Sequence, residues 1–134
     1  MNEYTRCRIV SVEGNIGAGK STFVNTLKTR YKDRGDILFL QEPVDVWSTI
    51  TQDGKTILEM FYHDRKKYSF AFQMLAYSTR LKMIEDAISE ANQKGISLIV
   101  MERSLDADRN IFAKMLYTEG MMEDCMYQIY IQMS

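Results

Sequence analysis

The segment Gly14-Asn15-Ile16-Gly17-Ala18-Gly19-Lys20-Ser21 satisfies the pattern G-x-x-x-x-G-K-[ST]. Each residue type there has a physical task. Glycines let the backbone curl so that successive N–H groups point inward at phosphate oxygens. A helix opening after the glycines adds the positive end of its dipole. Lys20 can neutralise the β- and γ-phosphates of a nucleoside triphosphate, the Ser21 hydroxyl can ligate Mg²⁺, and Thr22 extends the loop. The loop alone does not choose between a kinase, a GTPase and a motor ATPase.

Three further groups could serve an acceptor. Glu42 lies directly after an apolar run, and a carboxylate there can take a proton from an attacking hydroxyl. Glu102-Arg103-Ser104 follows another such run; a carboxylate near Mg²⁺ and an arginine near a moving phosphoryl group suit the same chemistry. Taken singly, Glu42 reads better as a solvated loop residue and Glu102-Arg103 better as a surface ion pair. Gln73, Ala76 and Arg80 share one helix face. Gln73 offers a donor and an acceptor to a nucleobase edge, and Phe72 beside it could stack on a base. Core packing of Phe72 is the alternative on an equal footing.

These groups need elements to hold them. Arg8–Glu13, Asp36–Gln41 and Ser97–Met101 read as strands, each delivering its polar residues at its carboxyl end. Ser21–Lys32, Thr56–Tyr62, Ala107–Leu116 and Met122–Ile131 have helical spacing, with Pro43 and Trp47 in a loop or helix start. The longest pattern, Tyr68–Asn92, carries the stripe Phe70, Met74, Tyr77, Leu81, Ile84 and Ile88, and Gly95 stops it. Alternating strands and helices predict an α/β fold, a P-loop NTPase-type parallel sheet with flanking helices. Three strands are visible, an incomplete sheet that leaves the first strand as an edge.

Composition narrows the classes. The 134 residues fit one domain, and 46% apolar content supports a core. A net charge of -1 gives no footprint for a nucleic-acid polymer. Cys7 and Cys125 lack metal-ligand spacing and suit a reducing, cytoplasmic compartment. MNEYTRCRIV has no signal-peptide character, and no run is apolar and long enough to span a bilayer. The 10 methionines read as core gap-fillers and the lone His63 as structural or exposed.

Together, GNIGAGKST (Gly14–Thr22), EPVDVW (Glu42–Trp47), SFAFQ (Ser69–Gln73) with Arg80, and ERSLDADRNIFA (Glu102–Ala113) resemble the deoxyribonucleoside kinase family. The resemblance covers almost the whole chain. It implies that ATP donates its γ-phosphoryl group, with Mg²⁺, to the 5′-hydroxyl of a deoxynucleoside. Glu42 is similar to the family's general base, Arg103 to the arginine that stabilises the transferring phosphate, and Glu102 to the acidic residue that helps place Mg²⁺. Gln73 would bond the base, with Trp47 and Phe112 packing near it and Leu58 lining the cleft. Tyr62 would bind the sugar 3′-hydroxyl. Ala76, Arg80 and Asp108 resemble the deoxycytidine and deoxypurine group, Arg80 and Asp108 forming a charged pair that faces an exocyclic amine. The expected substrates are deoxycytidine, deoxyadenosine or deoxyguanosine rather than thymidine.

Residues 1–134 correspond to the N-terminal part of such a kinase domain. The family chain continues into further strands, an arginine-rich lid and a loop for the donor adenine. Two other readings stand beside the kinase: a non-catalytic nucleotide-binding remnant, and a thymidylate-type nucleotide kinase, for which no basic cluster follows Glu42. The resemblance also implies a homodimer.

Overall fold

A computed structural model describes residues 7–14 and 19–134. Asn15, Ile16, Gly17 and Ala18 of the predicted phosphate loop lie outside the described residues. The chain divides into two compact units, the first Met1–Glu42 with Lys82–Ser104, the second Pro43–Leu81 with Leu105–Ser134.

In the first unit, strands β1 (Arg8–Val12), β2 (Ile37–Leu40) and β5 (Leu98–Glu102) form a parallel sheet ordered β1-β5-β2. Ile9 and Leu38 both stand opposite Ile99. On the central strand Ile99, Val100 and Met101 are buried, as the middle of a parallel sheet demands. Ile9 and Val10 on β1 stay 45% and 49% exposed, in keeping with the predicted edge. Ala87, Ala91, Ile96 and Ile99 make the small core.

Helix α1 (Lys20–Arg30) begins one residue before the predicted start. Its N-cap, Gly19, sits at φ 87°, a left-handed conformation that a side chain strongly disfavours. Helix α4 (Arg65–Lys94) is longer than its pattern at both ends. The Asp64 side chain accepts the Lys67 N–H at 3.2 Å and so caps its start. Gly95, at φ 70°, stops it, and the Ile96 N–H reaches back to the Ala91 carbonyl at 3.1 Å.

The second unit holds α2 (Val44–Trp47), α3 (Ile57–His63), the first part of α4, α5 (Leu105–Ala107), α6 (Lys114–Thr118) and α7 (Asp124–Met133). Thr56 and Glu59 form a capping box that starts α3. The core is Trp47, Ile57, Phe61, Phe72, Ala76, Leu116 and Met122, with Met60, Met121 and Met126 packed against it.

Three expectations need correction. Strands β3 (Thr51–Gln52) and β4 (Lys55–Thr56) form a small hairpin around Asp53-Gly54, too short for any periodicity to register. The predicted helix Ala107–Leu116 is three pieces, because Asp108–Ala113 is a π-helical turn between α5 and α6. The predicted stripe on α4 is not its most buried face. Ser69, Phe72, Gln73, Ala76, Arg80, Ala87 and Ala91 are buried, while Leu81 is 37% exposed. A pattern of large apolar residues cannot see alanines that permit close approach, or polar groups that find partners inside.

Candidate active site

In the first unit the polar groups gather where the strands end. The Ser21 hydroxyl donates to Glu102 Oε1 at 2.6 Å, joining the start of α1 to the end of β5. Glu102 itself is 3% exposed. A Mg²⁺ ion held largely by phosphates and water needs one or two protein oxygens. Ser21 and Glu102 fit that requirement. Among the described residues no cluster of three or more His, Cys, Asp or Glu forms a dedicated metal cage. Lys20 is buried at the first position of α1, directly after Gly19.

Glu42 follows β2, and Arg103 follows β5. Arg103 Nε lies 3.3 Å from Glu42 Oε1, an ion pair rather than a well-aligned hydrogen bond. The arginine side chain is 9% exposed and the glutamate 24%, so the carboxylate keeps an open side. Arg103 adopts φ 66°, a left-handed backbone that costs a non-glycine residue roughly 1–2 kcal/mol. Its N–H is tied to the Val12 carbonyl at 2.9 Å, and the following Ser104 N–H is held by Glu13 Oε1 at 2.6 Å. That strained turn aims the guanidinium at Glu42. Glu13 was not singled out from sequence; its position at the end of β1, beside Gly14, was the available signal.

In the second unit the groups come from helix faces. Arg80 Nε meets Asp108 Oδ2 at 2.6 Å, with side chains 1% and 4% exposed. The pair expected from sequence is formed, and the π-helical turn carries its acidic member. Gln73 and Ala76 lie on the same buried face of α4, and Gln73 Oε1 has no hydrogen-bond partner among the described residues. Buried amide oxygens are rarely left so, and a ligand donor would satisfy this one. Phe72 packs in the core, 4.8 Å from the stacked Phe61 ring and 5.1 Å from the edge-on Trp47 ring. Trp47 is buried, and its indole N–H donates to Thr79 Oγ1 at 3.0 Å. Thr79 was likewise missed. Leu58 packs against the same core, Phe112 is half-buried and Tyr62 is 53% exposed. Thr22, in the first unit, is exposed on α1.

A family model for deoxynucleoside kinases matches residues 10–134. The chain belongs to the deoxynucleoside kinase family. It is 36% identical over 125 residues to "Probable deoxycytidine kinase" of fowlpox virus, covering 93% of this chain and 47% of that one. Human deoxycytidine kinase is 34% identical over 146 residues, covering 96% of this chain and 54% of that protein. Mitochondrial deoxyguanosine kinase of Xenopus laevis is 31% identical over 141 residues, with 96% and 52% covered. The chain thus spans about half the length of the curated relatives it matches. Among the described residues no helix is long and apolar enough to cross a membrane.

Proposed function

We propose that the protein containing this chain transfers the γ-phosphoryl group of ATP to the 5′-hydroxyl of a deoxynucleoside, with deoxycytidine, deoxyadenosine or deoxyguanosine preferred to thymidine. Residues 1–134 are read as the N-terminal part of its kinase domain. The observation that carries the substrate choice is the buried Arg80–Asp108 pair at 2.6 Å, on the helix face that also buries Gln73. A charged pair and an amide give a base both donors and acceptors, which suits an exocyclic amine. Names of relatives support the reading, two being deoxycytidine kinases and one a deoxyguanosine kinase.

In this mechanism the N–H groups of residues Gly14–Ser21, with Lys20, hold the β- and γ-phosphates. Ser21 and Glu102 would hold Mg²⁺, which would supply positive charge to offset that of the phosphates. Glu42 accepts the proton of the 5′-hydroxyl as the oxygen attacks the γ-phosphorus and the bond from that phosphorus to the β–γ bridging oxygen breaks, releasing ADP. Arg103 fixes the Glu42 carboxylate and presents positive charge to the moving phosphoryl oxygens. Tyr62 bonds the sugar 3′-hydroxyl. Gln73, Arg80 and Asp108 read the base, while Ala76, Leu58, Trp47, Phe72 and Phe112 shape its surroundings.

Exposed Leu81, Ile129 and Met133 on α4 and α7 support a homodimer. A count of two cysteines, too few for a disulfide framework, supports the cytoplasm as its compartment. A steady-state panel with ATP, the four deoxynucleosides and thymidine monophosphate tests the proposal on the full-length protein. The highest kcat/KM is expected for one of the three amino-bearing nucleosides. Thymidine in first place overturns the base assignment; the monophosphate in first place makes the protein a thymidylate-type kinase.

A further inference from the structure

Arg103 reaches Glu42 from a left-handed backbone, at φ 66°. A non-glycine residue keeps such a backbone only where its surroundings hold it there. Strands β1 and β5 run in parallel register, with Val12 opposite Glu102. The Arg103 N–H extends that ladder and donates to the Val12 carbonyl at 2.9 Å. At Arg103 the chain leaves strand geometry, and the next N–H meets a side chain. The Ser104 N–H donates to Glu13 Oε1 at 2.6 Å, and the Ser104 hydroxyl donates to Glu13 Oε2 at 3.3 Å. Val12 therefore pins the peptide plane before the Arg103 Cα, and Glu13 pins the plane after it. The dihedrals φ and ψ are the rotations between those two planes, so the two anchors together fix both.

The two anchors differ in kind. Val12 acts through its carbonyl, which any residue would supply. Glu13 acts through its side chain, and both of its oxygens are used. An ionised acceptor makes the stronger kind of hydrogen bond, and 2.6 Å is short for an N–H donor. Glu13 is exposed, so its bonds compete with water and add little to overall stability. Their effect is local: they set the direction in which the Arg103 side chain leaves the main chain. We propose that Glu13 is a positioning residue for phosphoryl transfer, holding Arg103 in the left-handed turn that carries its guanidinium to within 3.3 Å of Glu42. This rests on the function proposed above. Glu13 touches no reacting atom; it acts through Arg103.

The test uses the full-length protein with Glu13→Ala, Glu13→Gln, Arg103→Ala and the double variant of Glu13→Ala with Arg103→Ala. Glu13→Ala is expected to lower kcat for deoxycytidine roughly 10- to 100-fold, with KM within about threefold and little change in melting temperature. Glu13→Gln is the rescue. Its amide oxygen still accepts the Ser104 N–H, and its amide N–H can donate to the Ser104 hydroxyl. Its kcat should stay within about threefold of the wild type. In the Arg103→Ala background, Glu13→Ala should add no further loss, because the side chain it positions is gone. An unchanged kcat in Glu13→Ala overturns the proposal. So does a Glu13→Gln variant as slow as Glu13→Ala, which would make the charge of Glu13 the working part. A loss in the double variant as large as in the wild-type background means that Glu13 acts apart from Arg103, and activity lost only in step with folded protein marks a structural role. A wild type that phosphorylates no nucleoside defeats the functional reading and this inference with it; an active wild type with an unaffected Glu13→Ala defeats the inference alone.

Discussion

The two units hold their polar groups by different means. In the first, Ser21, Glu42, Glu102 and Arg103 sit at the ends of backbone elements, and the strand ends decide where they go. In the second, Gln73, Arg80 and Asp108 sit on helix faces, in among core residues, and side-chain packing decides. The first arrangement leaves Glu42 partly open for a reaction. The second encloses its charges, where a low dielectric makes a satisfied pair rigid and a broken one costly. In the proposed function, reaction chemistry and substrate choice would thereby fall to separate structural devices.

Glu42→Gln gives the sharpest division between them. It should lower kcat by roughly 10²–10⁴-fold, since a positioned general base is worth about that much. The ranking of nucleosides by kcat/KM should not change. A reordered ranking would show that base choice is not confined to the second unit's residues, and the comparison would fail.

Asp108→Ala is the matching change in the second unit. Removing one partner leaves Arg80 as a buried, poorly compensated charge, which typically costs about 3–5 kcal/mol. Urea unfolding should show that loss, and nucleoside preference should collapse in the fraction still folded. If stability is kept and only kcat falls, Asp108 belongs with the reacting groups instead.

How far the sequence speaks follows the same line. The places of Glu42 and Glu102-Arg103 were legible because strand ends are local features of the chain. The pairing of Ser21 with Glu102 and of Glu42 with Arg103 joins residues far apart in sequence, yet parallel strands made one rim the natural place for all four. Arg80 and Asp108 were paired in advance only through family resemblance. Nothing local says that a polar face of α4 is the buried one, and the large apolar stripe pointed elsewhere. The π-helical turn at Asp108–Ala113 and the hairpin at Thr51–Thr56 left no periodic trace.

Thr79 tests the packing half at a finer scale. Its hydroxyl accepts the Trp47 indole N–H at 3.0 Å and donates to the Leu75 carbonyl at 2.7 Å. Thr79→Val keeps the shape and removes both bonds, so unfolding should be easier by about 1–2 kcal/mol. The change should appear in thermal melting and leave the kcat of Glu42-dependent chemistry alone. An effect on kcat as large as that of Glu42→Gln would link the Trp47 environment directly to the reaction.

The smallest effect concerns the first unit's own frame. Asp36 accepts two hydrogen bonds from Arg34, both 2.9 Å, and one from Ser97 Oγ at 2.9 Å. The Arg34 bonds first, then Ser97, lower its pKa to about 2. A carboxyl whose folded pKa lies below its unfolded value adds stability above the unfolded value, near ~4, and loses it as pH falls toward the folded one. Denaturation measured across that window should therefore show an acid slope that Asp36→Asn flattens. The Asp36 side chain is 38% exposed and that of Arg34 57%, so salt screens the pair and the slope should shrink in high salt. The buried Arg80–Asp108 pair is screened far less, and its contribution should survive the same salt. A salt effect of equal size on Asp36→Asn and Asp108→Ala would mean that burial is not what separates the two units' electrostatics.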